Sequence, residues 1–99
     1  MKVLIEAPFN LTDQIKSGIE NTVRELAVFQ PKMTQGAVYF KMDDGNVPDA
    51  VTAEVQLHVP GPVIFASANA EQFMDAFQQA ASKAERQLRK AKDMRVEHR

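Results

Sequence analysis

Hydrophobic and polar positions recur along this chain with two different periods, and each change of period marks a boundary between elements. "KVLIE" (Lys2 to Glu6) is a short apolar, β-branched run closed by Pro8, and it predicts a first strand. The period then lengthens in "NLTDQIKSGIENTVRELAVF", where Ile15, Ile19, Val23 and Leu26 recur at helical spacing. That is the signature of an amphipathic helix. Thr12 stands just before the periodic positions, where its hydroxyl can accept from the free amides of the first turn, and Asp13 suits the positive helix end. Gln30-Pro31 ends the pattern.

"GAVYFKM" (Gly36 to Met42) and "AVTAEVQLHV" (Ala50 to Val59) return to a strand period. In the second of these, Ala53, Val55, Leu57 and Val59 take one face, and Thr52, Glu54, Gln56 and His58 the other. Between the two strands "DDGNVPD" carries the residues of a reversing loop. "VPGP" (Val59 to Pro62) marks the next turn, and "VIFAS" is a fourth strand. From Ala70 to about Arg95 a stripe of Phe73, Phe77, Ala81, Ala84, Leu88 and Ala91 persists for several turns among Ala-rich neighbours, which predicts one long helix. The order is β-α-β-β-β-α. A half-polar sheet with two helices must cover its apolar face with both, so the pattern predicts an α+β, two-layer sandwich: a four-stranded sheet with two helices on one face.

With 99 residues the chain is read as a single domain, able to bury roughly two-thirds of its unfolded surface without cross-links. The absence of cysteine excludes disulfides, thiolate zinc sites and a thiol nucleophile. The apolar runs are too short for a bilayer, and Glu6 and Pro8 interrupt the opening run before it reaches the length of a secretory core, so a cytoplasmic protein is expected.

Candidate chemistry is sparse. His58 and His98 are the two histidines, and neither has a partner at ligand spacing. Gly18, Gly36, Gly45 and Gly61 are dispersed and form no phosphate-cradling loop. "DDGN" lacks the later acidic ligand of a calcium loop and reads as a turn. "NLT" at Asn10 matches a glycosylation sequon, but Thr12 is better explained as the helix cap. Ser17, Ser67 and Ser82 have no visible base. No catalytic group, metal or cofactor is expected.

The charge distribution is more informative. Although the net charge is −1, the closing stretch Lys83 to Arg99 holds seven of the twelve Lys and Arg residues against three acids, and the rest of the chain holds five bases against ten acids. On a helix, Lys83, Arg86 and Lys90 fall on one side, away from Ala84, Leu88 and Ala91, and Arg89 and Lys92 widen the ridge. Such a ridge can lie along a phosphate backbone, each neutralised phosphate adding a salt-dependent increment of affinity. A solvated helix face whose bases complement the negative end of the macrodipole accounts for the same residues. The Tyr and Phe residues do not interleave with the bases, so backbone and shape contact is expected rather than base stacking.

Three blocks carry a resemblance: "LTDQIKSGIE", "EVQLHVPGPVIFASANAEQFMDAF" and "ERQLRKAK". In that order they resemble the ribosome hibernation-promoting factor family, also called ribosome-associated inhibitor A or sigma-54 modulation proteins, over nearly the whole chain. The resemblance implies a fold like that of double-stranded RNA-binding domains and a non-enzymatic protein. Such a protein binds the small ribosomal subunit in the channel used by mRNA and tRNA and silences ribosomes under stress. By the match to "ERQLRK" and its neighbours, rRNA contacts fall on Lys83, Arg86, Arg89, Lys90 and Lys92. The resemblance implies a short form, expected to lack the second, carboxy-terminal domain of the ribosome-dimerising kind, for which ribosome pairing would need a separate factor.

Members of that family usually carry bases on the first helix as well, whereas "ENTVRELAVF" offers Thr22, Glu25 and Val28 with Arg24 as its cation. The loop between second and third strands, often basic in relatives, is "MDDGNVPDA" here. A second reading follows from those acids: a protein-interaction module of the same fold that meets a basic protein and binds ribosomes weakly or not at all.

Overall fold

The computed structural model describes residues 1–42, 50–61 and 63–97, with side chains as far as residue 91. The chain runs β1 (Lys2–Glu6), α1 (Asp13–Leu26), β2 (Gln35–Met42), β3 (Val51–His58), β4 (Ile64–Ala70) and α2 (Phe73–Glu97). This is the expected order, and it builds the expected α+β fold. The sheet order is β1-β2-β3-β4, parallel between β1 and β2 and antiparallel elsewhere. The parallel pair follows from α1, which carries the chain back to the starting end of the sheet before β2 begins.

One face of the sheet holds the core. Gly36, Val38 and Phe40 of β2 lie opposite Leu57, Val55 and Ala53 of β3, and Ala66, Ala68 and Ala70 continue the row on β4. Ile19, Val23 and Leu26 from α1 and Ala76, Phe77, Ala80, Ala84 and Leu88 from α2 close over that face in one buried cluster. Gly36 allows α1 its close approach, because a Cβ there would overlap the Val23 side chain. Four rings, Phe9, Phe40, Phe73 and Phe77, fasten the start of α2 to β2 and to the segment after β1, with centroid separations from 5.0 Å (Phe9 to Phe73) to 6.4 Å (Phe40 to Phe77).

The helix ends follow local chemistry. Ile15 N donates to Thr12 Oγ1 at 3.1 Å, the cap expected from sequence. Beyond Leu26 the chain tightens, and the amides of Ala27, Val28, Phe29 and Gln30 each donate to the carbonyl three residues earlier. Gly61, in the turn between β3 and β4, has φ of 101°, a left-handed conformation that glycine adopts without steric cost.

Several boundaries differ from expectation. Ala70 belongs to β4 rather than the last helix: Ala66, Ala68 and Ala70 alternate inward and pair across to β3, ending with Ala70 opposite Val51. The row of small residues reads as helix-forming in isolation, but pairing with β3 decides its conformation. Val63 precedes β4, and Ala50 and Val59 flank β3 rather than belong to it. Ala91, expected in the core stripe, is exposed, because α2 outruns the sheet after Leu88. The reversing loop expected at 43–49, Pro62 of the "VPGP" turn and the terminal His98 lie outside the described residues. Among the described residues no helix is long and apolar enough to cross a membrane.

Candidate nucleic-acid interface

The apolar stripe of α2 fixes the helix against β3 and β4, and this in turn fixes where its cations point. Arg86 and Lys90 are exposed, with no ion pair or hydrogen bond among the described residues. At about 100° per residue they stand about 40° apart around the helix, one turn from each other. Two like charges at this spacing weaken a helix by a few tenths of a kcal/mol, roughly 0.2–0.5. Nothing in the described packing offsets that cost.

Lys83 stands one turn earlier and has a structural partner. Its Nζ donates to the carbonyl of Ser67 at 3.0 Å, and Gln87 Nε2 donates to the carbonyl of Phe65 at 2.8 Å. β4 is an edge of the sheet, so these two side chains cover carbonyls that strand pairing leaves free. An ammonium has three N–H donors. The remaining donors of Lys83 are open to a second acceptor beside Arg86 and Lys90, and Lys83, Arg86, Gln87 and Lys90 together line one shallow groove.

Arg89 is turned to the other flank. Its Nε lies 3.6 Å from Glu85, and its guanidinium carbon sits 5.1 Å from the centroid of the Phe29 ring. This cation–π contact is internal to the protein and forms because the segment after α1 brings Phe29 across to α2. Arg89 is thus committed to the junction between the helices. Lys92 lies in α2, and its side chain is outside the described residues. The five predicted contacts divide into a free pair, a tethered lysine, an arginine turned toward α1, and Lys92.

α1 presents no matching patch. Arg24 Nη1 donates to the Met1 carbonyl at 3.1 Å, while Glu25 is exposed and Val28 is 73% exposed. Sequence reasoning found the cations but missed Gln87 and Phe29, whose roles depend on contacts between elements. Among the described residues there is no cluster of His, Cys, Asp or Glu that could hold a metal, and His58 sits on the sheet face opposite the helices.

The fold and sequence have clear relatives. A ribosomal subunit interface protein from Coxiella burnetii has the same fold, with a TM-score of 0.79 at 15% identity over 94% of this chain and 99% of that one. The N-terminal domain of Protein Y from Thermus thermophilus matches with a TM-score of 0.71 at 20% identity, over 89% of this chain and 93% of that one. No curated protein matches the sequence. The model of the family described as sigma 54 modulation protein / S30EA ribosomal protein matches residues 7–96. A match across nearly the whole chain, on a fold shared with these structures, shows that this chain belongs to the sigma 54 modulation protein / S30EA ribosomal protein family.

Proposed function

We propose that the protein is a ribosome-associated translation inhibitor of the hibernation type. On this reading it works in the cytoplasm and binds the small ribosomal subunit in the mRNA and tRNA channel through phosphates of rRNA. The observation that carries the reading is the free pair Arg86 and Lys90, beside Lys83, on the exposed side of α2. Arg86 and Lys90 make no ion pair or hydrogen bond among the described residues, so both are open to an external anion. Family membership and the printed name of the Coxiella burnetii protein, a ribosomal subunit interface protein, support a ribosomal location for that anion.

The mode of action requires no catalytic step or cofactor. The α2 ridge neutralises phosphates, and the body of the domain occupies the space that mRNA and tRNA need. Affinity then falls as salt rises, with a slope of roughly 0.7 to 0.9 per phosphate neutralised, and varies little with base sequence. The test is sedimentation of the purified protein with small subunits over a salt series, beside a variant carrying Arg86→Glu and Lys90→Glu. Binding that the variant retains unchanged would overturn the reading.

The acidic outer side of α1 favours a second reading, in which the same fold meets a basic protein and has little affinity for ribosomes. In that case small subunits fail to retain the wild-type protein even at low salt.

A further inference from the structure

An open groove of about 560 Å³ runs between the end of α1 and the flank of α2 turned away from Lys90. Leu26, Phe29 and Ala81 give it an apolar floor, beside the polar Thr22, Gln78 and Ser82. Val28, at 73% exposure the most exposed large hydrophobic residue among those described, stands at its mouth. Its rims are acidic: Glu25 on α1 has no ion pair among the described residues, and Glu85 on α2 is 42% exposed with its one cation, Arg89, at 3.6 Å. At about 100° per residue, Glu85 lies about 140° around α2 from Lys90, so groove and ridge face different ways.

We infer that this groove docks a Lys- or Arg-rich protein segment, one that lays an aliphatic side chain on Val28 and Phe29 and sets a cation between Glu25 and Glu85. The inference rests on the ribosome-binding reading, and the segment is then a basic extension of a ribosomal protein. Charge complementarity selects the occupant. A phosphate backbone in this groove meets the unpaired Glu25 and an apolar floor, both unfavourable to it, while the one cation beside it, Arg89, is already engaged by Glu85 and the Phe29 ring. A long basic side chain fits both features, because its alkyl stem covers apolar surface while its charged end reaches the rim. Proteins that themselves bind nucleic acid commonly carry such basic arms. α2 therefore separates two surfaces, one for RNA on the Lys90 side and one for protein on the Glu85 side.

The experiment compares wild type, Glu25→Arg and Val28→Ser on two probes: intact small ribosomal subunits, and the protein-free rRNA extracted from them. Both positions are exposed, and unchanged circular dichroism and melting confirm that the variants fold. The expected result is that each variant binds intact subunits about tenfold more weakly than wild type while binding protein-free rRNA at least as well. Unchanged affinity of both variants for intact subunits overturns the inference. So does tighter binding of Glu25→Arg to both probes, which would place RNA at the groove. If wild type fails to bind intact subunits even at low salt, the ribosome-binding reading falls and the inference with it, a result separate from the other two.

Discussion

α1 and α2 cover the same face of one sheet, each with a central apolar stripe that is buried, yet their outer faces differ in sign. α1 carries Asp13, Glu20 and Glu25 against Lys16 and Arg24, and α2 as far as residue 91 carries Lys83, Arg86, Arg89 and Lys90 against Asp75 and Glu85. Burial explains Ile19, Val23 and Leu26 in one helix and Phe77, Ala84 and Leu88 in the other. It makes no demand on the outward residues. Outward charge is therefore free to differ between the helices, and within α2 the cations divide into Lys83 and Arg89, which serve the fold, and Arg86 and Lys90, which have no partner among the described residues.

The largest effect expected belongs to the feature the helices share. Phe77→Ala empties a site that is 1% exposed and closes on Phe40, and it should cost about 3–5 kcal/mol, read as a lowered midpoint in urea. Subunit binding at low temperature should survive where the variant remains folded, because the ridge is untouched.

Next comes the feature that sets the helices apart. Arg86→Glu with Lys90→Glu should weaken binding to small subunits by roughly a hundredfold at physiological salt and lower the salt slope by about two, while leaving the melting temperature near that of wild type. A melting temperature that falls as far as in Phe77→Ala would show these residues to be part of the packing.

Lys83 lies between the two classes. Lys83→Met should lower the salt slope by about one and also destabilise the domain by about 1 kcal/mol, because the Ser67 carbonyl loses its donor. Gln87→Met should show the stability loss without the change in slope, since it covers the Phe65 carbonyl and carries no charge. The smallest effect belongs to Arg89. Arg89→Gln removes an exposed ring contact and a 3.6 Å ion pair, so a loss of about 0.5–1 kcal/mol in stability is expected, with less effect on the salt slope than Lys90→Gln.

Much of this was legible in the residues themselves. Strand and helix periods placed each element in order, because the core demands period 2 from strands and 3.6 from helices. The Thr12 cap was legible too, since a hydroxyl and the first-turn amides are neighbours in sequence. Ala70 is not legible as a strand residue, because a row of small residues suits either conformation and pairing with β3 settles the matter. The exposure of Ala91 is not legible either, because periodicity does not reveal where the sheet beneath a helix stops. The cations of α2 could be counted and set on one side, but their division could not be read: Lys83 meets Ser67 across 16 positions and Gln87 meets Phe65 across 22. The bases that look equivalent along a helix differ because of what the neighbouring strand and helix end offer them.

The most direct test of the central claim, that the free cations of α2 meet rRNA phosphate, is co-sedimentation of wild type and the Arg86→Glu, Lys90→Glu variant with small ribosomal subunits across a salt series. The account predicts wild-type binding that weakens steeply as salt rises, and a variant that stays in the supernatant at physiological salt although it is folded. A wild-type protein that fails to sediment with subunits at low salt, or a folded variant that sediments as well as wild type, would contradict it.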